Sequence, residues 1–203
     1  VGGAEMMMRD GLLENPKVDM ALALHLWNEE PLGWLGIAGG PMMAGGELFT
    51  VKVIGRGGHG AIPDRAVDPV VAAAQIVTAL QTIVSRNVSP LDTAVVSVTS
   101  VHAGTAFNVI PQEAILEGTI RTFDSKVREK VVARFEQIVR GVASAMGCEV
   151  EMKVKRLTPA LVNADEVTAS VQESARHVLP DARHDSSPYL TMGAEDMAFM
   201  QEK

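Results

Sequence analysis

Between Gly46 and Arg156 the spacing of apolar residues alternates between two and about 3.6, and this constrains the fold of the 203-residue chain more than any other feature. Phe49, Val51 and Val53 alternate with Thr50 and Lys52, the period of a half-buried strand. The spacing then predicts a helix from Asp68-Pro69 to about Arg86, with Ala73, Val77, Leu80 and Val84 on one face. Ala94, Val96 and Val98 alternate with Ser97 and Thr99, and Ala114, Leu116 and Ile120 with Glu117, Thr119 and Arg121, giving two further strands. A second helix is expected from about Ser125 to Met146, on the stripe Val127, Val131, Phe135, Ile138, Val142 and Met146, with Gly147 as its C-terminal cap. Val150, Met152 and Val154 supply a last strand. The order strand, helix, strand, strand, helix, strand predicts an α+β fold. Its core is a ferredoxin-like βαββαβ unit, with both helices on one face of a four-stranded sheet.

The flanks, residues 1–45 and 157–203, offer too little sheet for a domain of their own. They are expected to be parts of a second, α/β domain that the unit at 46–156 interrupts. A helix is predicted over Ala4 to Leu13, stopped by Glu14-Asn15-Pro16. The apolar run Met20 to Trp27 predicts a short buried strand, and Gly39-Gly40-Pro41 with Gly45-Gly46 bracket an expected boundary loop.

Charge and cysteine content exclude several function classes. Acidic residues outnumber basic ones 25 to 18, for a formal charge of −7, which disfavours a domain gripping nucleic acid through its phosphates. A lone cysteine, Cys148, rules out an internal disulfide framework and a cysteine-cluster zinc site. No apolar run reaches the 18 or so residues of a membrane span, and none reads as a signal peptide, so a cytoplasmic protein is expected.

Several residues carry candidate chemistry. Gly55-Arg56-Gly57-Gly58-His59-Gly60 satisfies a literal dinucleotide-binding pattern, yet Pro63 and Asp64 continue the loop where that mechanism needs a helix start. The glycines are better read as letting the backbone turn tightly and present His59. His25, inside Leu24-His25-Leu26-Trp27, is either a hydrogen-bonded core histidine or a metal ligand at a strand end. His102, His177 and His184 read as solvent-exposed. Asn108 precedes the third strand and Arg121 ends it; the amide and guanidinium suit a carboxylate, or are a turn asparagine and a strand-face arginine. Gly193-Ala194-Glu195-Asp196 reads as a helix start with acids in its first turn, where glycine also permits close backbone approach.

Taken in order, these segments resemble one family. GGAEMM (Gly2 to Met7), ALHLW (Ala23 to Trp27), GRGGHGAIP (Gly55 to Pro63) and Asp68-Pro69 are followed by AGTAFNVIP (Ala103 to Pro111), EGTIRTF (Glu117 to Phe123) and MGAEDMA (Met192 to Ala198). The set is similar to the metal-dependent amidohydrolases that include hippurate hydrolase, other N-acyl-amino-acid hydrolases and auxin-conjugate hydrolases. The resemblance implies a lid or dimerisation domain at 46–156 inserted in a metallohydrolase catalytic domain, here represented by 1–45 and 157–203. It implies two divalent ions per parent subunit (Zn, Mn or Co), a small N-acyl amino acid as substrate, and a homodimer. By the same resemblance His25 is a metal ligand, and His59 reaches the partner subunit's active site to stabilise the oxyanion. Asn108, Arg121 and Gly193 are then substrate contacts. The family's other ligand segments do not occur in this sequence, so the chain is expected to be an internal fragment, inactive alone. A non-catalytic, self-associating module is the alternative.

Overall fold

The computed structural model describes residues 2–203, which form two compact units. One comprises the residues up to Gly45 together with Thr158–Lys203; the other is Gly46–Leu157. In chain order the elements are α1 (Ala4–Arg9), β1 (Trp34–Gly36), β2 (Gly40–Met43), β3 (Gly45–Ile54), β4 (Gly58–His59), α2 (Pro69–Thr82), β5 (Ala94–Ala103), β6 (Val109–Ile110), β7 (Glu113–Thr122), α3 (Ser125–Ala145), β8 (Glu149–Thr158), β9 (Leu161–Asn163), α4 (Asp165–Val178) and β10 (Arg183–Asp185).

The strands β5, β7, β3 and β8 are neighbours in that order, so the first long strand lies between the third and the fourth. This is the split βαβ connectivity. Alternate residues of the strands face the two long helices: Phe49, Val51 and Val53 of β3, with Leu116 and Ile120 of β7, pack with Ile76 and Leu80 of α2 and Val131, Phe135 and Val139 of α3. Asp68 caps α2, its carboxylate accepting from the Val70 and Val71 amides, with Pro69 in the first turn where a missing N–H costs nothing. Asp124 caps α3 in the same way, and Gly147 ends it in the left-handed region at φ +73°.

The buried face of α2 is rotated from the expected one. Ala72, Ala73, Ile76, Leu80 and Ile83 are buried, while Val84 is exposed. The α-helix ends at Thr82 and a π turn spans Ile83–Asn87. The Thr82 and Ser85 hydroxyls donate back to the Ala79 and Gln81 carbonyls, a competition that loosens helical ladders. The wider turn carries Ile83 into the core.

In the other unit, β1 pairs in parallel with β10, and β2 pairs antiparallel with β9. The glycine-bracketed stretch expected as a loop therefore contains a strand. α1 is shorter than expected, giving way to turns after Arg9. Met20–Trp27 does not form the expected buried strand: it has no regular structure, and Leu22, Leu24 and Leu26 are 64%, 87% and 97% exposed. A strand exists only by pairing, and among the described residues none pairs with this run. Among those residues, too, no helix is long and apolar enough to cross a membrane.

One charged pair lies in the Gly46–Leu157 core. Glu47, on the helix-facing side of β3, is fully buried and accepts from the Arg128 Nε–H of α3; its Oε2 has no partner among the described residues. Arg128→Ala should therefore cost about 3–5 kcal/mol in urea unfolding, because it strands a buried carboxylate. Replacing both residues with methionine should cost far less.

Candidate functional site

Within the first unit, the structure joins sequence segments that lie far apart. The His25 Nε2 and the Glu195 Oε2 are 2.6 Å apart, across 170 positions of chain. Glu195 Oε1 accepts from the Met197 amide and so caps the short 3-10 helix Asp196–Glu202. The next residue, Asp196, accepts from the Ala4 amide at 2.9 Å, supplying the N-terminal cap that α1 lacks locally, since Gly3 offers no side chain there. A Cβ on Gly2, which sits at φ +92°, would lie 2.7 Å from Asp196 Oδ2. Two residues beyond His25, the Trp27 indole N–H donates to the Tyr189 hydroxyl, which donates to Glu29. Gly193 is exposed, and its amide donates to the Thr191 hydroxyl.

The acidic pair thus has two duties that its local reading as a helix start does not contain. Asp196 feels its duty as charge: the Ala4 amide, helped by the Glu195 side chain and then the Gly3 amide, holds its carboxyl below the usual carboxylate range against the opposing effect of burial. His25 has gained a partner that sequence spacing could not supply. Only the presence of His25 in ALHLW and of Glu195 in MGAEDMA hinted that Glu195 mattered.

In the second unit, His59 and Asn108 come together on two facing loops. β4 pairs with β6, placing His59 opposite Val109, and the Gly60 amide donates to the Asn108 carbonyl at 2.8 Å. This approach requires glycines: a Cβ on Gly57 would stand 2.8 Å from the Ile110 carbonyl oxygen, and one on Gly55 2.2 Å from that of Val67. His59 Nδ1 accepts from the Ala61 amide at 3.1 Å. A neutral imidazole with an accepting Nδ1 carries its proton on Nε2, so the exposed ring presents an Nε2–H donor.

Arg121 lies elsewhere. It pairs with Val95 at the far end of β7, half-buried, with its guanidinium over Gly46, where a Cβ would stand 2.1 Å from Nη1. It lies nine positions along the strand from Gln112 beside the His59 loop, roughly 30 Å at the rise of an extended chain. Within one copy, then, Asn108 and Arg121 are not brought together to hold one carboxylate. The sequence spacing of 13 residues concealed this, because an intervening strand carries them to opposite ends of the sheet.

Among the described residues no three His, Cys, Asp or Glu side chains gather closely enough to hold a metal ion. The His25–Glu195 pair, one imidazole and one carboxylate already hydrogen-bonded to each other, does not fit a two-ion centre by itself. Cys148 is buried, and burial, helped by nearby Asp68, pushes its thiol up, away from the reactive thiolate.

Residues 44–146 match the family model described as a peptidase dimerisation domain. The chain is 44% identical over 165 residues to an N-acyl-L-amino acid amidohydrolase of Geobacillus stearothermophilus, covering 81% of this chain and 44% of that protein. It is 35% identical to a hippurate hydrolase of Campylobacter jejuni, covering 100% of this chain and 53% of that one. A crystal structure of a Bacillus subtilis dinuclear metal-binding peptidase from the M20 family superimposes with a TM-score of 0.78 at 30% identity, over 98% of this chain and 49% of that one. The chain spans about half the length of the relatives it matches.

The sign of the Asp196 effect is testable. A carboxyl held low in the folded state stabilises the protein above its unfolded value, near 3.9, and loses that contribution as pH falls through the lowered folded value. Asp196→Asn is expected to lower stability at pH 7 and to make the remaining stability less steep between about pH 5 and pH 2, as read by chemical denaturation at a series of pH values.

Proposed function

The chain belongs to the M20 peptidase family, and on that premise we propose that it is part of a metal-dependent amidohydrolase acting on N-acyl amino acids of the hippurate type. In this reading the Gly46–Leu157 unit is the lid and dimerisation domain, and the segments on either side belong to the catalytic domain. The protein works as a homodimer. Divalent ions, two per subunit, belong to the reaction, with Zn, Mn and Co as candidates; their centre needs more donors than His25 and the other described residues assemble.

The observation that carries the reading is the state of His59. Its Nδ1 is occupied by the Ala61 amide, which leaves an exposed Nε2–H to donate to the oxygen that gains charge when an amide carbonyl is attacked. Arg121 offers a planar fork for the carboxylate of the amino-acid portion. The Asn108 side-chain amide and the Gly193 backbone complete the substrate contacts. His59 and Arg121 stand at opposite ends of β7, so one small substrate meets both only if they come from two copies. That separation supports the dimer and the role of His59 across it.

Three experiments test this. In the longer protein carrying this chain, His59→Ala should lower kcat for hippurate or N-acetyl amino acids about 10²–10³-fold, the usual loss for one oxyanion donor. Mixing His59→Ala and His25→Ala subunits after dissociation should restore about a quarter of wild-type turnover, since statistically mixed two-fold dimers hold that share of intact sites. No recovery would overturn the role across the dimer. A polypeptide of these 203 residues alone is expected to show no turnover with any of the three metals, and turnover abolished by His25→Ala would overturn that.

The self-associating module remains a second reading on one observation, the absence of a three-donor group among the described residues. A longer protein that dimerises yet hydrolyses no N-acyl amino acid would favour it.

A further inference from the structure

His59 sits on a strand of two residues, too short to hold itself in place. What steadies it is a side chain outside every motif that pointed to the site. The Gln112 carboxamide bridges the turn leading into β4: its Oε1 accepts from the Gly57 amide at 3.1 Å, and its Nε2 donates to the Gly55 carbonyl at 3.0 Å. The Gln112 backbone carbonyl also accepts from the Gly55 amide at 2.9 Å. One residue thus engages three backbone groups of the turn, the nearest of them two positions before His59. On the other side of the histidine, the Asn108 carbonyl holds the Gly60 amide, and His59 Nδ1 holds that of Ala61.

We propose that Gln112 is a positioning residue for His59: its carboxamide pins the Gly55–Gly57 turn against the start of β7, and so fixes where the Nε2–H points. The inference rests on the reading of His59 as the oxyanion donor. The chemistry follows from what a carboxamide alone can do. It donates and accepts at once, so it satisfies an N–H and a C=O two residues apart, which neither a carboxylate nor a hydrocarbon can. The absence of side chains at Gly55 and Gly57 lets the turn come this close. Without the clamp, both backbone groups turn to water, and the two-residue β4–β6 ladder loses the anchor at its entry. Small displacements of a catalytic donor are costly even when its identity is unchanged.

The test has two arms. In the first, amide hydrogen exchange is followed by NMR in the 203-residue chain. Gln112→Ala should speed exchange at Gly57, Gly60 and Ala61 about 10- to 100-fold while leaving the β3 amides of Phe49 to Val53 protected. Unchanged exchange at Gly60 and Ala61, or equal loss of protection in β3, would overturn the proposal, the latter by making Gln112 a general structural residue. In the second arm, kinetics are measured in the longer enzyme. Gln112→Ala should lower kcat roughly tenfold or more with little change in KM, and should cost nothing further once His59 is already alanine. An additive loss in the double variant would overturn action through His59. Full activity of His59→Ala would instead defeat the reading of that histidine, and the exchange arm would still decide whether Gln112 holds the loop.

Discussion

Phe49 organises the second unit. Its ring lies 4.6 Å from that of Phe135, tilted by 46°, so that the first strand and the last helix meet at one contact. The room for it comes from a missing side chain: a Cβ on Gly118 of the neighbouring strand would stand 2.4 Å from the Phe49 ring and 2.0 Å from the Ser97 carbonyl oxygen. Sheet, helix and strand neighbour are thereby locked in one register, and a register slip of one residue would turn Phe49, Val51 and Val53 away from the helices. The ion pair from the buried Glu47 carboxylate to Arg128 ties β3 to α3 again.

That rigid platform gives the His59 loop something to be built against. The loop has no core of its own. It is held by backbone hydrogen bonds to the segment 108–112 and by glycines that permit the approach. On the proposed reading of His59 as the oxyanion donor, function depends on these supports as much as on the histidine, because a donor aimed a little wrongly at a developing oxyanion loses most of its value. The same logic applies in the other unit, where Glu195 holds His25 and Asp196 holds the start of α1. Two consecutive acids draw three distant parts of the chain together.

Much of the Gly46–Leu157 unit was legible because its code is periodic. Alternation in 49–53, 94–98 and 114–120 marks strands, and Asp68-Pro69 and Gly147 punctuate the helices, each by a mechanism confined to a few neighbouring residues. The legibility ended where a residue's state depends on partners distant in sequence. Met20–Trp27 has a strand's composition but no strand to pair with among the described residues. Ile83 rather than Val84 is the last buried residue of this segment because a π turn spans Ile83–Asn87. Whether Asn108 and Arg121 hold one carboxylate or are a turn asparagine and a strand-face arginine is not written in the sequence, because 13 residues of spacing say nothing of the straight strand between them.

The sequence by itself determined the connectivity, the positions of His25, His59, Asn108, Arg121 and Gly193, and, through an ordered set of short motifs, the family. These are properties of local conformational preference and residue identity, and they survive without coordinates. Only the tertiary structure decided who holds whom: that Glu195 meets His25, that Asp196 caps a helix 192 residues away, that Gln112 clamps the turn before His59, and that the Ala61 amide donates to His59 Nδ1. Hydrogen bonds act over about 3 Å and chain separation carries no information at that range, so such partnerships exist only once folding has closed the distance.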